Sequence, residues 1–225
     1  MKNFLTVFPN DPFPIISGLN SINIQNLNLF WNVVKDIQMG KQEFSVLTLD
    51  NRLLDYSKQL IILGDLINCP TPQTIFLKQI FKKLKKLISD DAIDQIYLLD
   101  RKIRNIFKKE IFTSDLPVNI SDNWSLDDII KLMGVSCNFA QGNTPLEIIS
   151  EFIDLSFGLD DRRILFFSNL NRYLRKVDRK KIAHECISKN TVILSINLVT
   201  EGIENADNQE NVCFIDNDFV QYTNQ

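Results

Sequence analysis

Residues 164–198, ILFFSNLNRYLRKVDRKKIAHECISKNTVILSINL, decide the fold. Arg163 to Ser168 reads as an apolar strand, Asp178 to Lys189 as a basic helix, and Thr191 to Asn197 as a second apolar strand. Two strands joined through a helix at this spacing pair in parallel by a right-handed crossover. The start of the chain has the same character. Phe4 to Phe8 and Ser21 to Ile24 read as short strands, separated by Pro9, Pro12, Pro14 and Gly18. Phe30, Val33, Val34 and Ile37 mark one face of a helix from Asn28 to Met39, closed by Gly40. Phe44 to Leu49 and Gln59 to Leu63 follow as strands, the second apolar enough to be covered on both faces. After an acidic loop from Glu201 to Asn211, Val212 to Ile215 forms a last short strand. Both chain ends therefore build one α/β domain.

Between them the pattern turns helical. Pro70 and Pro72 mark the boundary, and no Gly or Pro occurs from Gln73 to Leu116. Phe76, Leu77, Ile80, Phe81, Leu84, Leu87 and Ile88 lie on one arc of a first helix. Ile96, Leu99, Ile103, Ile106, Phe107 and Ile111 form the stripe of a second, with Asp90 or Asp91 as its cap. Joined by a short turn, the two make an antiparallel hairpin. Ser125-Leu126-Asp127-Asp128 and Thr144-Pro145-Leu146-Glu147 each fit a capping box, opening helices that end at Gly134 and near Phe157 and Gly158. The expected organisation is a discontinuous α/β head, residues 1–70 and 158–225, with an α-helical leg at 71–157.

Composition excludes much of the commoner catalytic machinery. The chain has 225 residues, 44% hydrophobic and 24% charged, enough to bury a core as one large domain or two small ones. Its seven glycines never lie closer than eight positions, so neither G-x-G-x-x-G nor G-x-x-x-x-G-K-[ST] can be written. His184 is the one histidine, which removes H-E-x-x-H zinc sites and two-histidine metal centres. Cys69, Cys137, Cys186 and Cys213 include no C-x-x-C and read as buried thiols in a reducing compartment. The first apolar run is too short for a signal peptide, and no stretch of 18 uncharged apolar residues occurs. A cytoplasmic protein without a membrane span is expected.

The net charge of −3 hides a partition. Gln73 to Phe112 holds ten Lys/Arg against five Asp/Glu, and Asp160 to Lys189 holds nine against four. Those two segments carry +10 together and the rest −13, with six acids and no base after Lys189. Such segments are either solvated helix faces or local anion-binding surfaces.

The order of elements resembles that of the CRISPR type II-A adaptation accessory family. The matching stretches are FPNDPFPIISG (8–18), FSVLTLD (44–50), QLIILGDLIN (59–68), LDDIIKLMGV (126–135) and the 164–198 segment. The resemblance implies an ATPase-like α/β head lacking nucleotide motifs, with an inserted helical leg. It also implies a homotetrameric ring around a basic hole, bound Ca²⁺ and no enzymatic activity. Members bind the free ends of double-stranded DNA and support spacer acquisition with other CRISPR adaptation proteins.

Two cation sets suit that role. On the hairpin, Lys78, Lys82 and Lys85 lie opposite the apolar stripe of the first helix, flanked by Lys83 and Lys86. Arg101, Arg104 and Lys108 do the same on the second, flanked by Lys102 and Lys109. Around the later helix stand Arg172, Arg175, Lys176, Arg179, Lys180 and Lys181, with Asp178 the only acid among them. Flexible cations without a base-reading motif point to phosphate contact alone. The resemblance aligns the NISDNWSLDD segment with an acid-rich stretch of the family, making Asp122, Asp127 and Asp128 the calcium candidates. Val118 and Ile120 replace carboxylates there, and early helix acids also serve the helix dipole. His184 reads as structural or surface, Asp65 as a cap or fold relic, and Trp31 and Trp124 as core. Two rival readings are a metal-dependent nuclease or divergent nucleotide hydrolase using Asp65 or the acids at 122–128, and a helical scaffold that never meets DNA. ATP hydrolysis or Mg²⁺-dependent cleavage marks the first, and failure to shift duplex DNA marks the second.

Overall fold

The computed structural model describes residues 3–114, 117–123, 125–135, 144–200 and 210–223. Trp124, Cys137 and most of the acidic loop (201–209) lie outside them. In chain order the elements are β1 (Asn3–Val7), β2 (Phe13–Ile15), β3 (Gly18–Ile24), α1 (Leu27–Met39), β4 (Ser45–Leu49), β5 (Arg52–Leu53), α2 (Tyr56–Gln59) and β6 (Leu60–Asp65). Four helices follow: α3 (Pro72–Leu87), α4 (Asp90–Phe112), α5 (Leu126–Leu132) and α6 (Pro145–Gly158). The chain closes with β7 (Ile164–Ser168), α7 (Lys176–Ser188), β8 (Val192–Leu198), β9 (Glu210–Ile215) and β10 (Gln221–Thr223).

The mixed α/β fold holds two sheets. The larger runs β10-β9-β3-β8-β7-β6, parallel except for β10. The parallel β7–α7–β8 unit expected from the sequence is there, and β3 lies between β8 and β9, with Ile22 opposite both Ile196 and Cys213. The smaller sheet is antiparallel, β2-β1-β4-β5. Pro14 sits in β2, an edge strand, where a missing N–H interrupts no central ladder.

Side-chain alternation sorts the large sheet into two apolar faces. Ile22, Ile24, Phe166, Leu194, Ile196, Cys213 and Ile215 share one core cluster with α1 and the small sheet. Residues of opposite parity, such as Leu165, Phe167 and Ile193, are equally buried. Phe167 meets Phe152 of α6 edge to face at 6.1 Å, which places α6 on this second face. Helix α1 starts at Asn26, whose side chain accepts from Leu29 N, and stops at Gly40 with φ 68°, where a side chain would be strained. Asp36, on its inner face, accepts from the backbone N–H groups of Glu43, Phe44 and Ser45 at 2.9–3.1 Å and from Ser45 Oγ at 3.2 Å. Tyr56 completes this buried knot by a 2.8 Å hydrogen bond with Ser45 Oγ.

Two compact units result, Met1–Ile75 with Phe139–Gln225, and Phe76–Asn138. The sequence reading gave α6 to the leg, but its buried Ile149, Phe152 and Ile153 make it part of the first unit. The second unit is sparsely packed: α4 buries none of its residues, and Leu99, Ile103, Ile106 and Phe107 are all more than half exposed. Its cap is Ser89, which accepts from Ala92 N at 3.3 Å, rather than Asp90 or Asp91. Of the two capping boxes, Thr144–Glu147 forms in full, while Ser125 makes no side-chain cap bond. Trp31, expected in the core, is 63% exposed.

Replacing Asp36 with Ala strands three backbone donors, and the variant should unfold at lower denaturant, with stability reduced by about 3 kcal/mol. Phe152→Ala, by opening a cavity under the sheet, should cost on the order of 3–4 kcal/mol in the same measurement.

Candidate nucleic-acid interface

The hairpin cations fall into two classes. Lys78, Lys82 and Lys86 stand four residues apart on α3, solvent-exposed and without an ion pair among the described residues; Arg101 on α4 is the same. Lys83 is also exposed, but has a partner. Three others are engaged within the unit. Lys85 pairs with Asp127, and Lys108 with Asp122. Arg104 holds Asp100 Oδ2 through Nε at 2.6 Å and the Ser121 carbonyl through Nη1 at 2.5 Å. The hydrogen bond from Lys108, with the charges of Lys108, Arg104 and Arg101, keeps the Asp122 carboxyl below the usual carboxylate range.

The second set divides likewise. Arg172 lies exposed in the short 3-10 turn Leu170–Arg172, and Lys181 is exposed on α7. Lys176 and Lys180 are exposed with partners. Arg175 precedes the first turn of α7, its side chain 85% exposed, and donates through Nε to the buried Asp178 at 3.0 Å. That bond lowers the Asp178 carboxyl. Arg179, expected among the DNA-facing cations, is turned inward instead. Its side chain is only 18% exposed and lies 3.7 Å from Glu210 Oε2, while Glu210 Oε1 accepts from Ser21 Oγ at 2.6 Å. It ties α7 to β9 and β3 and presents little to solvent. The six cations in ten residues read as one surface; helix periodicity turns this one toward the sheet.

The proposed calcium ligands do not fit a divalent ion. Asp122 and Asp127 are each occupied by a lysine, and Asp128 lies 3.4 Å from Lys131. Among the described residues, no three His, Cys, Asp or Glu groups come together as a metal site. The sequence treated acids and lysines as two separate sites because up to 42 positions divide them; the fold pairs them with each other.

In open α/β sheets, ligands are held beyond the C-terminal ends of parallel strands. Here those ends are closed by their own side chains. Only Gln25 and Asn26 connect β3 to α1, and Asn26 Oδ1 accepts from Leu29 N at 3.0 Å, using a helix-start donor that a phosphate would need. Asn197 accepts from Ser195 Oγ at 2.8 Å and donates to Asn23 at 3.0 Å, and Asn169 accepts from Leu198 N at 3.0 Å. Asp65 accepts from Ile67 N at 3.1 Å and from the Tyr173 hydroxyl at 2.8 Å, so it serves as a cap. These asparagines were missed by the sequence reading; their placement at successive strand ends was the available signal. His184 is exposed, and burial pushes the Cys186 and Cys213 thiols up to about 12. No helix among the described residues is long and apolar enough to cross a membrane.

Residues 38–219 match the family described as CRISPR-associated protein (Cas_Csn2). No curated protein matches the chain. Among solved structures, the chain is similar to Stu0660 of Streptococcus thermophilus, with TM-score 0.53 and 12% identity over 95% of this chain and 74% of that one. At that identity the likeness speaks to fold alone. MJ1267, an ATP-binding cassette of an ABC transporter in its ADP conformation, follows at TM-score 0.42 and 8% identity, covering 94% and 85%. The family match spans most of the chain and takes in residues of both units. The chain belongs to the Csn2 family of CRISPR-associated proteins.

Proposed function

We propose that the chain is a non-enzymatic binder of double-stranded DNA ends. In this reading it acts in the cytoplasm as a homotetrameric ring and supports spacer acquisition with other CRISPR adaptation proteins. The observation that carries the reading is the row Lys78, Lys82 and Lys86, exposed on one side of α3 and unpaired among the described residues. At the rise of an α-helix the three span about 12 Å. Duplex DNA presents roughly seven charges over that length, so one chain neutralises only part of what it faces. A ring multiplies the row by its number of subunits, which lets a protein of net charge −3 hold an acidic polymer. Arg101, Arg172 and Lys181 are further exposed cations of the same kind.

Assembly has support in the unburied stripe of α4. Leu99, Ile103, Ile106 and Phe107 recur at the spacing of one helix face, which suits packing against a second copy. Two features support the absence of enzymatic chemistry: the self-satisfied strand ends, and carboxylates engaged by lysine at the positions a metal would use.

The combined variant Lys78→Ala, Lys82→Ala, Lys86→Ala, Arg172→Ala should bind duplex DNA at least about tenfold more weakly at low salt. The log–log salt slope should become shallower by about 0.9 for each phosphate no longer neutralised, with the oligomer mass unchanged. Unaltered affinity and slope would overturn the reading. Arg179→Ala should instead lower stability by about 2 kcal/mol, by leaving Glu210 without its cation, and keep the salt slope of the unmodified chain. Neither ATP hydrolysis nor Mg²⁺- or Mn²⁺-dependent DNA cleavage should rise above background.

A further inference from the structure

The segment from Pro117 to Asn123 has no regular secondary structure, yet it is fastened at two points, and the helix that follows it at a third. Arg104 grips the Ser121 carbonyl, Lys108 the Asp122 carboxylate, and Lys85 the Asp127 carboxylate in the first turn of α5. Asp100 completes the set by holding the Arg104 guanidinium at 2.6 Å. Each of the three carboxylates therefore has a cation of its own, and among the described residues they do not come together as a metal site. A divalent ion placed among these oxygens would need six to eight of them to itself and would add two uncompensated charges beside two ammonium groups.

We propose that in this chain the ammonium groups of Lys85 and Lys108, with the guanidinium of Arg104, take the structural place of a divalent cation in the helical unit. The unit then keeps its fold without Ca²⁺, and the segment's attachment answers to ionic strength and not to chelators. The lysines reach from α3 and α4 to the two ends of the 121–127 stretch, as a multidentate ion would. Each contributes three donors that can turn toward whatever oxygens are near. Lys85 and Lys108 are 39% exposed and their acids more so, which leaves the pairs open to screening by salt. The proposal is independent of DNA binding, so either can fail alone.

The test is hydrogen exchange on the full chain, following peptides that cover 117–135, with calorimetry of CaCl₂ alone. Exchange should be the same in millimolar CaCl₂ and in excess chelator, no calcium heat should appear, and 1 M NaCl should quicken exchange several-fold. Lys85→Met with Lys108→Met should quicken it about tenfold without added salt. The exchanged pair Lys108→Asp with Asp122→Lys should restore most of the protection that Lys108→Asp alone removes. Calcium heat accompanied by slower exchange at 117–128 in the unmodified chain would overturn the proposal. So would unchanged exchange in the double methionine variant. Should that variant fail to fold, the chelator and salt arms on the unmodified chain decide the matter by themselves.

Discussion

The fold depends on one strand. β3 comes from the N-terminal region, and both of its edges are occupied by strands from the C-terminal quarter, β8 along Val192–Leu198 and β9 along Glu210–Ile215. Almost every residue of β3 is buried, so its N–H and C=O groups have no water to turn to and must find those two partners. The parallel registers bring residues more than 170 positions apart into hydrogen-bonded contact and close the chain on itself. The segments from α1 to α2 and from α3 to α6 are therefore two excursions, from β3 to β6 and from β6 to β7, between strands of one sheet. Asn20 strengthens the joint, donating to Ile193 O at 3.1 Å and accepting from Asn211 Nδ2 at 2.8 Å.

With the sheet closed this way, its strand ends are used up by structure. The connection from β3 to α1 is two residues long and has no room for a phosphate loop. The asparagines at the ends of β3, β7 and β8 satisfy one another and the local backbone. The proposed function rests on charge at the surface. Even there, the fold engages part of what the sequence offers: Arg179 serves the sheet, and Lys85, Arg104 and Lys108 serve the helical unit. Within the two cation sets, those left exposed and unpaired among the described residues are Lys78, Lys82, Lys86, Arg101, Lys102, Lys109, Arg172 and Lys181.

Much of the α/β frame was legible because its signals are local. The apolar spacing of α1 and the glycine that ends it, the runs of β6 to β8, and the Thr144 capping box each reside within a dozen residues. The departures share one cause, which is partnership across long separations. Nothing local says that β1 and β4 leave the main sheet with β2, or that α6 packs on Phe167 and so belongs to the head. Spacing along α4 shows a stripe but not whether another helix covers it. Lys85 and Asp127 are 42 positions apart, so members of two candidate sites read separately turn out to pair with each other.

The central claim is that a closed ring of these chains holds duplex DNA by its ends. The most direct measurement compares binding of one duplex sequence as a linear molecule and as a covalently closed circle, in the same buffer. The account predicts retention of the linear form, loss of binding on circularisation, and its return when the circle is cut once. Equal binding to linear and circular duplex would contradict it.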